Sequence, residues 1–392
     1  MYKAISLFTG AGGLDYGLEI AGFETVVAIE MDKWCCKTLK KNRPNWNIVE
    51  DRLENVTSKS IEDISGLKPG DFDILIGGPP CQPFSKSGYW VKGDAKRLKD
   101  PRANTLIEYM RVLNDLQPKA FILENVFGLA YKGKDEGLQF LNEEIGRINS
   151  RNKTNYSFEW SVINTADFGV PQIRERVFII GFRDGTPFKF PMPTHFEPPQ
   201  PGELAMIPPD SQYRTTWDSL GDLSQPKIPE SFAIGGKWKD LLPTIPPGKN
   251  YLYHTDRGDG VPLFKWRSRY WSFLLKLDPN KPSWTIQAQP GTSIGPFHWN
   301  NRRLTMREMA RIQTFPDNIV IEGGITQIQK QIGNAVPSAI GELLGKEIRK
   351  QFFGEKLPST SLTLIPSKRK GKCTVVFERT VPQKYLNELE EN

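Results

Sequence analysis

The feature that most constrains this chain lies near its N-terminus. The apolar run Ala4-Ile5-Ser6-Leu7-Phe8 breaks into Thr9-Gly10-Ala11-Gly12-Gly13, and a helical pattern follows from Leu14 to Ala21. A strand that ends in glycines and passes at once into a helix opens a β-α-β unit. Such units build parallel sheets whose ligands sit at the carboxyl ends of the strands. The rhythm continues: Thr25-Val26-Val27-Ala28-Ile29 stops at Glu30, and Met31 to Lys40 reads as a helix broken near Pro44. Asp73-Ile74-Leu75-Ile76 precedes Gly77, Ala120-Phe121-Ile122-Leu123 precedes Glu124, and amphipathic Thr105 to Leu116 lies between them. A parallel α/β sheet is the expectation.

The glycine turn limits the ligand. Gly10-x-Gly12-x-x-Asp15 lacks the third glycine of a dinucleotide fingerprint, and Asp15 and Glu19 at the helix start would repel a pyrophosphate. Glycine still lets a ligand approach the backbone, and Glu30 at a strand end is placed to accept hydrogen bonds from ribose hydroxyls. A nucleoside cofactor without phosphates fits, S-adenosylmethionine being the common one. Taken alone, the turn reads equally well as a plain tight turn.

Composition narrows the setting. A chain of 392 residues suits two domains, and 38% hydrophobic with 25% charged residues describes a globular protein. No apolar run reaches the roughly 18 residues of a membrane span, and Met1-Tyr2-Lys3-Ala4-Ile5 has no leader pattern. A cytoplasmic protein is expected. Four cysteines and three histidines make neither a disulfide framework nor a zinc cluster, so no metal is expected and a thiol is free for chemistry. A net charge of +7 is compatible with a polyanionic partner but does not require one.

Six segments occur in a fixed order: Leu7 to Gly13, Gly78-Pro79-Pro80-Cys81-Gln82-Pro83-Phe84-Ser85, Glu124-Asn125-Val126, Gln172-Ile173-Arg174-Glu175-Arg176, Arg303 to Glu308, and Gln331-Ile332-Gly333-Asn334-Ala335-Val336-Pro337. The set resembles the ordered motifs of the DNA cytosine-5 methyltransferase family, closest to its bacterial restriction-modification and orphan members, and covers residues 3 to about 350. The resemblance implies a Rossmann-like S-adenosylmethionine-dependent sheet with a second, smaller, irregular target-recognition domain. By resemblance Phe8, Gly10, Gly12, Gly13, Leu14 and Pro79 line the cofactor site. Glu30 binds the ribose, Met31 packs on the adenine, Asp51 accepts from its amino group, and Asn334 and Ala335 close the site.

The chemistry of the reaction explains these residue types. Cytosine C5 is a poor nucleophile until a thiolate adds to C6 and makes C5 enamine-like. Negative charge then builds toward N3 and needs a donor. Cys81 is the expected nucleophile and Glu124 the expected N3 donor, held protonated by burial beside the base. Arg174 and Arg176, on what reads as one strand from Gln172 to Ile180, are placed by resemblance near the cytosine O2 and the adjoining backbone. By itself Cys81 would read as an inert buried thiol and Glu124 as a cap for Asn125. Cys35 and Cys36 keep the inert reading.

A ring atom inside a stacked duplex is out of reach, so the base must be flipped out. Ser85 to Arg102, with Gly88, Gly93 and six cations against two anions, suits a basic clamp, though a solvated loop looks similar. Gln82, Ser85, Lys86, Ser87 and Arg97 are the DNA-contact candidates there. From about Phe190 a proline-crowded stretch marks a linker. The region to about Pro296 is the expected recognition domain, with Arg257, Lys265, Arg267 and Arg269 as base or phosphate contacts and most of its aromatics in a small core.

The expected division is 1–190 catalytic, 191–300 recognition, 301–326 connecting scaffold, 327–354 returning to the first domain, and 355–392 an extension of unknown role. Within that extension Thr374 to Phe377 reads as an edge strand, and Lys368 to Lys372 as a phosphate-touching patch or a disordered tail. Double-stranded DNA is the expected partner, a monomer suffices, and a cognate endonuclease would act on the same site. The competing readings are a tRNA cytosine-5 methyltransferase of the same fold and a catalytically inactive DNA-binding relative.

Overall fold

A computed structural model describes residues 1–80, 104–125, 136–199, 207–223, 232–289, 291–357, 362–371, 373, 375, 377–378 and 380–390. The seven-stranded sheet is built from β1 (Tyr2–Leu7), β2 (Phe23–Glu30), β3 (Asn47–Glu50), β4 (Ile74–Gly77), β5 (Ala120–Asn125), β6 (Ser157–Asn164) and β8 (Glu175–Phe182). The order across it is β3-β2-β1-β4-β5-β8-β6. The first five strands run parallel, while β8 lies antiparallel to β5 and β6 antiparallel to β8. The sheet is therefore mixed rather than wholly parallel. The chain between β6 and β8 holds only a 3-10 turn, Thr165–Phe168, and a two-residue strand, too little for the crossover that a parallel return requires, so β8 returns antiparallel.

Alternate residues of each central strand feed opposite cores, as the two-residue period requires. Ile5, Leu75, Phe121 and Ile179 pack with α3 (Ser58–Ser65), α4 (Asn104–Leu116) and α5 (Glu136–Asn152). Ala4, Ile74, Ile76 and Ile122 pack on the other face with α1 (Gly13–Ile20) and a late helix, Ser338–Gln351. Strands buried on both sides read as continuous apolar runs, which is why they were legible.

One expected strand is in fact two. Gln172–Ile173 (β7) leaves the main sheet to pair in parallel with Ser283–Trp284 (β9), and β8 begins only at Glu175. Arg174 occupies the break. No Gly, Pro, Asn or Asp stands between Gln172 and Val177 to mark a break, which hid the change of partner from a reading of the sequence.

The remaining helices are α2 (Lys33–Asn42), α6 (Thr216–Leu220), α7 (Met306–Ile312), α8 (Ile325–Asn334), α9 (Ser338–Gln351) and α10 (Gln383–Glu390). α1 and α9 meet without intervening side chains. A Cβ on Gly17 would lie 1.9 Å from the Ser338 carbonyl oxygen, and one on Gly341 2.3 Å from that of Leu14. Glycine is required at both places, and the chain after residue 336 is thereby packed onto the first helix.

Residues 241–297 bury a separate small core around Leu242, Tyr251, Phe264 and Phe273, joined by Val381 and Tyr385 from the end of the chain. The described part of that end is attached to the body rather than free. The Thr363 and Leu364 N–H groups donate to buried Glu342, and the Arg369 N–H donates to Asp218 at 2.8 Å. The extension is thus neither a loose tail nor a free basic patch where it is described. Residues 374 and 376 of the expected edge strand lie outside the described residues.

Candidate active site

The sheet register aligns the site. Leu7 pairs with Ile29 and with Gly77, and Gly77 pairs with Leu123. The next residue on each strand is therefore Phe8, Glu30, Gly78 and Glu124, four neighbours on one edge. With strands about 4.8 Å apart, Glu30 on β2 and Glu124 on β5 are about 14 Å apart across the edge. That separation suits two different ligands, or two ends of one reacting pair.

At the β1–β2 end, both Glu30 oxygens accept backbone N–H groups, from Gly10 and from Asp32, each at 2.7 Å. Burial nevertheless raises the pKa of this carboxyl. A carboxylate keeps further lone pairs after two such bonds. Phe8 and Gly10 have positive φ, 54° and 59°, and space is open where a Gly10 Cβ would stand. Met31 follows, 61% exposed, beside Asp51, which is exposed and bonds to the Arg52 N–H and to Asn55. An apolar face, an acceptor pair and an unobstructed backbone turn match an adenosyl group without phosphates.

The acidic helix start excludes a pyrophosphate less directly than its sequence suggests. Asp15 is turned inward, 1% exposed, accepting from Thr25 at 3.4 Å, and burial pushes its pKa up to about 7. Glu19 is paired with Arg43 at 2.5 Å. Gly13 closes the turn from behind, for its Cβ would meet the Val336 carbonyl at 2.3 Å and Ala335 Cβ at 3.1 Å. Leu14 is buried beside it, and Asn334 is exposed at the end of α8.

At the β4–β5 end stands Glu124. Its Oε1 lies 3.1 Å from Arg176 Nε. Burial raises its pKa, and Arg176 and Arg174 act against that rise. Arg174 is 1% exposed and donates to the Gly333 carbonyl at 3.0 Å and to that of Asn334 at 3.5 Å. Its Nε has no partner among the described residues. Pro79 is buried, and its carbonyl accepts from Asn125 Nδ2 at 3.3 Å. Cys81, Gln82, Ser85, Lys86, Ser87 and Arg97 lie outside the described residues.

Three supporting positions escaped a reading by residue chemistry. Gly78 is one: a Cβ there would sit 2.8 Å from Glu124 Oε2, so glycine gives the carboxylate its room. Gly333 offers Arg174 its carbonyl while packing on Ala288, 2.6 Å from a would-be Cβ. Asn125 anchors the Pro79 carbonyl. All three lie inside the quoted segments, but only the tertiary contacts give their roles. Arg257 and Arg267 flank the Trp266 ring at 5.2 and 5.8 Å, and Arg269 lies 5.9 Å from the Phe273 ring. Arg267 and Arg269 share one exposed segment, and Arg257 meets it across the Trp266 ring. Cys35 and Cys36 are buried, and burial pushes their thiol pKa values up, away from the thiolate form.

A five-stranded parallel run capped by an antiparallel pair, with paired carboxyl sites at its strand ends, defines a Rossmann-like S-adenosylmethionine-dependent methyltransferase fold. The C-5 cytosine-specific DNA methylase family matches residues 2–350. Among curated relatives, Type II methyltransferase M.SacI of Streptomyces achromogenes is 39% identical over 374 residues, covering 89% of this chain and 93% of the relative. M.NgoFVII of Neisseria gonorrhoeae is 36% identical, covering 86% and 83%. Among solved structures, Dnmt2 of Spodoptera frugiperda superposes with a TM-score of 0.58 at 16% identity, over 89% of this chain and 100% of that one. The chain belongs to the C-5 cytosine-specific DNA methylase family, and it is a DNA cytosine-5 methyltransferase.

Proposed function

We propose that the enzyme methylates one cytosine within a specific double-stranded DNA sequence, as the modification partner of a restriction system, acting as a cytoplasmic monomer. The observation that carries the reading is Glu124: a half-buried carboxyl at a strand end, its pKa raised by burial and its Oε1 3.1 Å from Arg176 Nε. S-adenosylmethionine, held by Phe8, Gly10, Gly12, Gly13, Leu14, Glu30, Met31, Asp51, Pro79, Asn334 and Ala335, supplies an electrophilic methyl when bound.

The Cys81 thiolate forms a bond from Sγ to C6 of the flipped base, and Glu124 gives its proton to N3 as the ring electrons move. C5 then takes the methyl of bound S-adenosylmethionine, the S–CH3 bond breaking to leave the neutral thioether. Water takes the C5 proton, and return of the N3 proton to the Glu124 carboxylate expels the Cys81 thiolate and restores aromaticity. Arg174, with its free Nε donor, and Arg176 hold the cytosine O2 and the adjoining backbone. Residues 191–300 form the recognition unit, with 301–326 as scaffold and 327–354 completing the first domain. Gln82, Ser85, Lys86, Ser87, Arg97, Arg257, Arg267 and Arg269 contact DNA.

Bisulfite sequencing of DNA and tRNA from cells expressing the chain tests the reading. A single methylated DNA motif is expected; methylation confined to tRNA overturns it. A duplex carrying 5-fluorocytosine at that site should trap wild type covalently, and equal trapping by Cys81→Ser would remove Cys81 from the mechanism.

A further inference from the structure

Of the nine Phe, Tyr and Trp side chains between residues 241 and 297, Tyr251, Phe264, Phe273 and Phe297 are buried in one core, whereas three are exposed. Tyr270 is 83% exposed, Trp271 53% and Trp284 41%. Contiguous exposed aromatics on a soluble protein mark a surface built to be covered. Their backbone is fixed from beneath by buried polar groups. Tyr251 Oη donates to the Arg269 carbonyl at 2.8 Å and accepts the Arg269 N–H at 3.1 Å. Asn250 Nδ2 donates to the Trp271 carbonyl at 2.7 Å. Tyr270 and Trp271 are thus held outward on a rigid support.

Charge and position name the partner. Lys265, Arg267 and Arg269 are exposed on the same short segment, which has no acidic residue from 265 to 271. Within it Arg267 takes a left-handed backbone conformation, φ 56°. Trp271 meets Trp284 edge-on, ring centres 5.6 Å apart. Trp284 is paired with Ile173, whose carbonyl also accepts from Thr285 Oγ1 at 2.9 Å. Arg174 and then Arg176, the partner of Glu124, follow directly. The aromatic step is therefore joined to the catalytic carboxyl through one strand pair, not placed on a remote face.

Resting on the methyltransferase reading above, we propose that Tyr270 and Trp271 form a wedge that enters the duplex beside the target cytosine. They stack on the bases the flipped nucleotide leaves, while Lys265, Arg267 and Arg269 hold the flanking phosphates. A base leaving a stack exposes two apolar faces, and flat aromatic rings cover such faces without regard to sequence. Rings already fixed by their backbone lose little further freedom on doing so.

The test uses a duplex containing the site found by bisulfite sequencing, with 2-aminopurine replacing the target cytosine, whose fluorescence rises on unstacking. Trp271→Ala and Tyr270→Ala should each cut that rise and the single-turnover rate on normal DNA by about tenfold. Binding of S-adenosylhomocysteine and of a duplex lacking the site should stay within about twofold, and Trp271→Phe should recover most of the loss. Wild-type flipping by both alanine variants overturns the wedge. So does an equal loss of affinity for the duplex lacking the site, which makes the rings a general DNA contact or a fold element. A wild type that methylates no cytosine in duplex DNA overturns the reading beneath it instead.

Discussion

At the residue scale the protein turns on carboxyl groups moved away from their ordinary behaviour by burial. Glu124 lies between two arginines that favour its charged form and a buried strand end that opposes it, and burial prevails. Because its pKa is raised, the proton that the proposed mechanism gives to cytosine N3 persists to higher pH than on a free glutamate, and is lost as pH rises through the raised value. Glu124→Gln should slow single-turnover methyl transfer at least about tenfold and remove the corresponding fall at high pH. An unchanged rate and profile would take Glu124 out of the reaction. Asp15 shows the same physics without the chemistry. Its pKa is raised from 3.8 to about 7, so the folded state binds the extra proton between those values. Its penalty is absent below about pH 4 and complete above about pH 7. Asp15→Asn should therefore be more stable than wild type at pH 8 by about 1–3 kcal/mol, with the gain shrinking toward pH 5 in urea titrations. Both carboxyls are visible in the sequence. That Asp15 faces inward rather than toward the ligand is not, because α1 turns it under the glycine loop onto Thr25.

Elements succeed or fail by how closely they approach. α1 and α9 pack backbone to backbone at Gly17 and Gly341, so Gly17→Ala must drive the helices apart. Overpacking of this kind costs about 1–3 kcal/mol, and this clash with main chain belongs at the upper end. Gly17→Ala should lower the urea midpoint with the slope unchanged, whereas Gly146→Ala, an open position on α5, should leave it unchanged or raise it. Equal effects at the two positions would mean that the contact is not tight. The strand–helix rhythm of the first half was legible because strands buried on both faces are unbroken apolar runs. The break at Arg174 was not, since no turn-forming residue separates β7 from β8 in the sequence. What separates them is a partner, β9, that lies more than a hundred residues later.

At the scale of the whole molecule, the end of the chain returns twice. Thr363 and Leu364 satisfy the fully buried Glu342, and Tyr385 stacks on Trp238, ring centres 5.4 Å apart, in the core of the 241–297 unit. A chain ending at Leu357 would leave Glu342 without those donors and uncover Trp238. It should melt lower by more than about 5 °C and bind DNA more weakly, while S-adenosylhomocysteine binding by the sheet is largely kept. Unchanged melting and DNA binding would make the extension dispensable. The sequence by itself determined the order of strands and helices, the glycine turn, and the residue types of both strand-end sites, because these depend on local pattern and short-range chemistry. Only the tertiary structure decided that Glu30 and Glu124 share one edge, that Gly78 makes room for one of them, and that Val381 and Tyr385 join the 241–297 core. It also decided which few aromatics stay outside that core. Those outcomes depend on contacts between segments far apart in the sequence, and burial at each is settled by what packs against it, not by the residue alone.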